Sequence, residues 1–196
     1  RLEAFMAAMD ASSRRNFELL AHRFPFENHR RLCDVGGADG LLSRIVAAAH
    51  PHLQCVSFDL PAVTTIARRK IDSAGLGERV SAVAGDFLAD PLPQADVITM
   101  GMILHDWNLE RKQQLIAKAY QALPEGGALM VVEALIDDAR RENTFGLMMS
   151  LNMLIEFGDA FDFSGADFRE WCSSAGFRSF EVIPLEGGSS AAVAYK

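Results

Sequence analysis

His105 stands in the run Met102-Ile103-Leu104-His105-Asp106-Trp107-Asn108. A neutral imidazole can take a proton from a hydroxyl nucleophile in the transition state. A phenol has a pKa near 10, so ionising it at pH 7 costs about 4 kcal/mol, from roughly three units at about 1.36 kcal/mol each. A positioned base removes most of that burden. Glu133 closes a later apolar run, Ala128 to Glu133, where a carboxylate can hold the other ring nitrogen and fix its tautomer. A second constellation is Asp34-Val35-Gly36-Gly37-Ala38-Asp39-Gly40, a glycine-rich turn that lets a ligand come close to backbone. Asp59 follows 19 positions after Gly40, at the distance where a carboxylate after the next strand can accept ribose hydroxyls. Asp86 and Phe87 stand after a third run, where an acid can accept an amino group of a base and a ring can cover it. A nicotinamide dinucleotide site needs G-x-G-x-x-G. That register places Ala38 and Leu41, or Asp39 and Leu42, where glycines belong, so it fails. His50 and His52 have no neighbouring acids or cysteines, and no ligand cluster of workable spacing exists, so the expected metal content is none.

These residues need elements to hold them. Leu2, Phe5, Met6, Met9, Phe17, Leu20 and Ala21 follow helical spacing up to Pro25, giving a leading helical segment within residues 1–30. From Arg31 onward strands alternate with helices. Strands are expected at Arg31–Val35, Leu53–Phe58, Val80–Ala84, Asp96–Gly101, Ala128–Glu133, Phe177–Ile183 and Ala191–Tyr195. Helices are expected after Gly40, from Pro61 to about Ala74, and over Leu109–Leu123, Glu142–Phe157 and Gly165–Ala175. Asn108 can cap one of them, and Ser164 with Asp167 forms a capping box for the last. Such alternation means a mostly parallel sheet with helices on both faces and ligands beyond the carboxyl ends of the strands. The polar residues fall there, with His105-Asp106 ending the fourth strand. Met148, Met149, Asn152, Met153 and Phe157 share one helix, a stripe that reads equally as core or as pocket wall.

Composition narrows the class. The chain has 196 residues, 49% hydrophobic and 23% charged, which suits one compact α/β domain over residues 31–196. A net charge of −7, from 19 basic and 26 acidic residues, argues against a nucleic-acid partner. No run of about 18 apolar residues spans a membrane. Cys33, Cys55 and Cys172, widely spaced and odd in number, read as buried thiols in a reducing compartment. The start, Arg1-Leu2-Glu3-Ala4, is no signal peptide and lacks Met, as expected for a piece of a longer chain.

The segments Asp34 to Gly40, Phe58-Asp59-Leu60-Pro61, Gly85-Asp86-Phe87, Leu104-His105-Asp106-Trp107, Leu123-Pro124-Glu125-Gly126-Gly127 and Glu133-Ala134 carry a resemblance. From about residue 14 to its end the chain resembles the small-molecule O-methyltransferases typified by caffeic acid and hydroxyindole O-methyltransferases. The spacing of Asp34, Gly36, Ala38 and Gly40 is that of S-adenosylmethionine binding in such enzymes. The resemblance implies a Rossmann-like seven-stranded methyltransferase sheet with helices on both faces. It implies His105 as general base with Glu133 and Asp162 beside it, and a cofactor site of Asp34, Gly36, Gly37, Gly40, Asp59, Leu60, Asp86 and Phe87. It also implies a small aromatic or polyketide-like acceptor held near Asp106, Met149, Asn152 and Met153, a cytoplasmic location, and a homodimer built through an N-terminal domain of which the first helix is the expected remnant. Two positions depart: Asp162 stands where plant members carry Glu, and Gly101 where Lys is common four residues before the histidine. A methyltransferase acting on carbon or nitrogen, and a non-catalytic cofactor-binding protein, remain the alternatives.

Overall fold

The computed structural model describes residues 2–196, apart from the side chain of Phe5. Arg1 and the Phe5 position of the leading apolar stripe therefore lie outside the described residues. The chain packs as two compact units, one up to Ile98 and one over Thr99–Lys196. Seven strands, β1 (Arg31–Val35), β2 (Gln54–Asp59), β3 (Val80–Ala84), β4 (Val97–Gly101), β5 (Ala128–Glu133), β6 (Ser179–Pro184) and β7 (Ser190–Tyr195), have the order β3-β2-β1-β4-β5-β7-β6.

In the first unit, α1 (Leu2–Arg23) packs on α2 (Leu41–Ala49), and Met6, Leu20, Phe24 and Phe26 are buried. Strands β1 (Arg31–Val35), β2 (Gln54–Asp59) and β3 (Val80–Ala84) pair in parallel. Their register aligns Val35 with Phe58 and Phe58 with Val83, so the residues that follow each strand emerge at one edge. Parallel neighbours require a crossover, and α2 and α3 (Pro61–Ser73) supply it. Pro61 opens α3 at a position whose N–H would have no helical partner. Leu42 and Val46 of α2 and Ile66 and Ile71 of α3 are buried, so each helix offers one apolar stripe to the core.

In the second unit, β5 (Ala128–Glu133) is buried along its whole length and pairs antiparallel with β7 (Ser190–Tyr195), which pairs antiparallel with β6 (Ser179–Pro184). The expected parallel arrangement holds at β1, β2 and β3, and the antiparallel β7 makes the sheet mixed at this edge. The turn Leu185 to Ser189, closed by the Leu185 N–H donating to the Ser189 carbonyl at 3.0 Å, is too short for a crossover and forces β7 back along β6. Asn108 caps α4 (Leu109–Ala122) by accepting the Arg111 N–H, and the Ser164–Asp167 capping box opens α6 (Gly165–Ala175) as expected.

Strand β4 (Val97–Gly101) ends at Gly101 as expected, and Leu104–Asp106 beyond it forms a 3₁₀ turn not expected from the sequence. Along α5 (Thr144–Phe157) only Gly146 and Met153 are buried. The apolar stripe is therefore not a core face: Met148 is 61% and Ile155 75% exposed, with Phe145, Leu151, Leu154 and Phe157 about half exposed. Cys33, Cys55 and Cys172 are buried free thiols, and burial raises the pKa of each. No helix among the described residues is long and apolar enough to cross a membrane.

Candidate functional site

In the first unit the chain leaves β1 through three left-handed residues, Gly36 (φ 68°), Ala38 (φ 48°) and Gly40 (φ 79°). Glycine adopts this region freely, whereas Ala38 does so at a cost of about 1–2 kcal/mol. Gly37 serves a different purpose. A Cβ there would sit 2.9 Å from Asp34 Oδ2 and run into Ser57 Oγ, so the position demands close approach rather than a special φ. The Gly36 N–H donates to the Phe58 carbonyl at 2.9 Å, which seats the turn on the end of β2.

Asp59 organises the same turn. Its Oδ2 accepts the Ala38 N–H at 2.9 Å and its Oδ1 accepts the Leu60 N–H at 2.7 Å. Burial raises its pKa, and these two backbone bonds work against the rise. Each carboxylate oxygen keeps a second lone pair, enough to accept two hydroxyls. Asp86 is exposed after β3, where its Oδ1 accepts the Leu88 N–H at 2.8 Å, and Phe87 beside it is half-buried. Leu60 is also exposed. The glycine cradle, Asp59, and the level ends of β1, β2 and β3 fit a nucleoside ligand lying against backbone.

One residue of this turn had no role in the motif reading. Asp39 is fully buried and pairs with Lys70 of α3 and with Arg44 of α2 at 3.4 Å, while Lys70 also reaches Asp10 of α1 at 3.3 Å. Three helices thus hold the glycine turn through one carboxylate. Burial pushes Asp10 up to about 6, helped by the neighbouring Asp39. Lys70 lies 31 positions beyond Asp39, which no local motif reveals.

In the second unit Met102 takes a left-handed conformation (φ 56°) and its N–H donates to the Val132 carbonyl at 2.9 Å, which turns the chain into the 3₁₀ segment. Glu133 shapes that segment. Its Oε1 accepts three consecutive N–H groups, from Ile103 at 3.2 Å, Leu104 at 3.0 Å and His105 at 3.4 Å. Its Oε2 then faces His105 Nδ1 at 3.8 Å. Asp162 Oδ1 lies closer to the same nitrogen, at 3.4 Å, and the Asp162 N–H donates to Ser150 Oγ on α5. On the other side of the ring Asp106 Oδ1 is 3.3 Å from Nε2. His105, Glu133 and Asp162 are all buried, and His105 Nδ1, Glu133 Oε2 and both Asp162 oxygens have no well-angled hydrogen bond among the described residues.

Protonation follows from this arrangement. Burial opposes a charged ring, but Glu133, Asp162 and Asp106 outweigh it and raise His105 to about 9. Burial pushes Glu133 up to about 7 although the histidine favours its ionised form. The resting ring therefore carries a proton at neutral pH, whereas the residue types alone led us to expect a neutral imidazole with one carboxylate. Three acids from three separate elements make the difference. The expectation that no metal-ligand cluster exists also needs correction: ligand-capable atoms of His105, Glu133 and Asp162 lie within 4.8 Å of one another. Sequence separations of 28 and 57 positions conceal such a cluster.

The acceptor candidates are placed less tightly. Met153 is buried, Met149 half-buried and Asn152 exposed, on the helix that packs against the 3₁₀ turn of His105. Asp106 is half-buried and faces the ring as described.

Comparison with known proteins gives a consistent answer. A family model described as an O-methyltransferase domain matches residues 2–178. The tetracenomycin polyketide synthesis 8-O-methyl transferase TcmO of Streptomyces glaucescens is 36% identical over 192 residues, 98% of this chain and 57% of that protein. The N,N-dimethyltransferase OxyT of Streptomyces rimosus is 39% identical over 178 residues, 91% of this chain and 52% of that protein. Among solved structures, human N-acetylserotonin methyltransferase in complex with SAM superposes with a TM-score of 0.90 at 29% identity, covering 98% of this chain and 55% of that one. The chain thus spans about half the length of the relatives it matches.

Proposed function

The chain belongs to the O-methyltransferase domain family, and from that premise we propose that it moves the methyl group of S-adenosylmethionine to a hydroxyl of a small aromatic or polyketide-like acceptor, with His105 as general base. The observation that carries the reading is the surrounding of His105 by Glu133, Asp162 and Asp106. The residues proposed for the cofactor and those proposed for acid–base chemistry belong to different compact units, and the family match supports their use in one reaction.

Bound S-adenosylmethionine supplies a sulfonium-activated methyl group for in-line displacement. On this reading Asp59 accepts the ribose hydroxyls, Gly36, Gly37 and Gly40 bring backbone against the ligand, Asp34 braces that turn, and Asp86 with Phe87 and Leu60 hold the base. Glu133 and Asp162 keep a proton on His105 Nδ1, so Nε2 is the nitrogen that accepts the acceptor's proton once Asp106 yields it. The raised basicity has a double effect. A base near pKa 9 stands one unit below a phenol near 10, so proton transfer costs about 1.4 kcal/mol, against about 5 for an unperturbed histidine. Only about one ring in a hundred is neutral at pH 7, which is the corresponding loss. Acid–base use of this cluster is preferred over metal use because the family assignment is to methyl transfer from an already activated donor.

The likeness to OxyT gives a second reading weight, transfer to an amine nitrogen. The same proposal includes a cytoplasmic homodimer formed through an N-terminal domain outside this chain, supported by the exposed apolar residues of α5; sedimentation of the full-length protein tests the dimer. The reaction is tested with isotope-labelled S-adenosylmethionine and a panel of phenolic acceptors, wild type beside His105→Gln. Label in an ether that disappears in the variant is the expected result. Undiminished transfer by His105→Gln refutes the base, and label on nitrogen or carbon replaces the hydroxyl acceptor.

A further inference from the structure

The second unit buries one cation that no step above uses. Lys112, in the first turn of α4, has no exposed surface. A lysine is almost never buried so completely unless its charge is answered. Its Nζ donates to the Trp107 carbonyl, the backbone immediately after the 3₁₀ turn that bears His105 and Asp106. The same ammonium lies 3.7 Å from the centre of the Phe161 ring and 5.9 Å from that of Phe163. Those rings flank Asp162 in the chain. One side chain therefore grips both segments whose meeting creates the histidine–carboxylate cluster, one through a carbonyl and the other through aromatic faces.

Charge points the same way. The groups facing His105 are Asp106 on its own turn, Glu133 on β5 and Asp162 before α6. The groups facing Lys112 are those three carboxylates and Asp159. Three acids around one ring leave the cluster short of positive charge, and Lys112 is the second cation within it. We propose that Lys112 is a positioning residue for His105, tying the His105 turn to the Asp162 segment and offsetting the acids so that the ring can give up its proton. The proposal rests on the reading of His105 as base.

Burial lowers Lys112 to about 8, with Glu133, Asp162, Asp106 and Asp159 resisting the fall, so it is mostly charged at pH 7. Removing that charge leaves the acids less opposed and makes the imidazolium harder to deprotonate. The test is made on the full-length protein, titrating the His105 ring by NMR in wild type, Lys112→Met and Lys112→Arg, with methyl transfer and S-adenosylhomocysteine affinity measured beside it. In Lys112→Met the His105 midpoint is expected to rise by up to about half a unit, because Lys112 itself loses charge as the ring titrates. Acceptor kcat/KM at pH 7.5 then falls by up to about threefold, cofactor affinity stays within twofold, and Lys112→Arg restores the midpoint. A residue that merely packs would leave the midpoint in place, and an unmoved midpoint in folded Lys112→Met overturns the proposal. Should that variant not fold, Phe161→Leu removes the ring beneath the ammonium, and a midpoint rise of the same sign but smaller size is expected; no movement there is equally fatal. Undiminished turnover by His105→Gln together with a moved midpoint overturns the base reading alone.

Discussion

Replacing Asp59 with Ala tests the cofactor half of the reading, because this carboxylate has two separable duties. It accepts the Ala38 and Leu60 N–H groups at 2.9 and 2.7 Å, and it keeps one lone pair on each oxygen for a ribose. Hydrogen bonds to a charged acceptor contribute about 1.5–3 kcal/mol. At tenfold per about 1.4 kcal/mol, the variant should bind S-adenosylhomocysteine about ten- to hundredfold more weakly by calorimetry. The first duty confuses the second. Ala38 holds φ at 48°, and without the Asp59 acceptor the turn can relax and weaken binding indirectly. Ala38→Gly removes that dependence, since glycine adopts the conformation without strain. The Asp59→Ala change should therefore still cost at least tenfold in an Ala38→Gly background. If the loss disappears in that background, Asp59 only shapes the turn. If Asp59→Ala binds within twofold of wild type in either background, the ribose assignment is wrong.

The pH–rate profile of acceptor kcat/KM should climb about tenfold per unit and level off near pH 9, where His105 loses its proton; a profile already flat at pH 7 contradicts the clustered acids. Stability moves in the opposite sense: a histidine raised from 6.5 to about 9 stabilises the fold fully below pH 6.5 and loses that contribution as pH rises through 9, so the melting temperature should decline over that interval. Glu133→Gln keeps an oxygen for the three turn N–H groups but removes the charge facing Nδ1, so methyl transfer should fall about 10²-fold while S-adenosylhomocysteine affinity, measured by calorimetry, holds within threefold. Lys70→Met leaves buried Asp39 with Arg44 alone; Lys70 is partly exposed, so about 2 kcal/mol of stability is expected to go, read by urea denaturation, with a few-fold loss in cofactor affinity.

What the sequence disclosed and what it concealed divide along a physical line. The three parallel strands of the first unit and α3, with its opening proline, were legible because each is written in contiguous residues: an apolar run, a helix-starting proline, glycines where φ turns positive. Asp34, Gly36, Gly37, Gly40 and Asp59 were legible for the same reason, since register alone brings the ends of β1, β2 and β3 level. The 3₁₀ turn at Leu104–Asp106 was not, because nothing local specifies it. A single glutamate oxygen supplied from β5 accepts its three N–H groups, so a residue about thirty positions away determines where the strand stops. The face of α5 stayed open between core and pocket wall for a related reason: helical spacing of Met and Phe states which residues share a side, not what covers that side.

The same line explains why the charge state of His105 was missed. The strand-end position of Glu133 offers the ring one carboxylate and the resemblance adds Asp162, but neither gives their burial or their distance from the ring. The fold buries Glu133 and Asp162 with oxygens 3.8 and 3.4 Å from Nδ1 and sets Asp106 3.3 Å from Nε2, so the charges act at low screening. A base raised toward the acidity of its substrate trades the population of its neutral form against the driving force for proton transfer. For a phenolic acceptor that trade moves almost the whole barrier from the transfer step to the free ring's deprotonation, which rising pH relieves directly. An amine acceptor, cationic until it too loses a proton, would add a second titration to the profile, so the shape of the pH–rate curve separates the two acceptor chemistries before any product is identified.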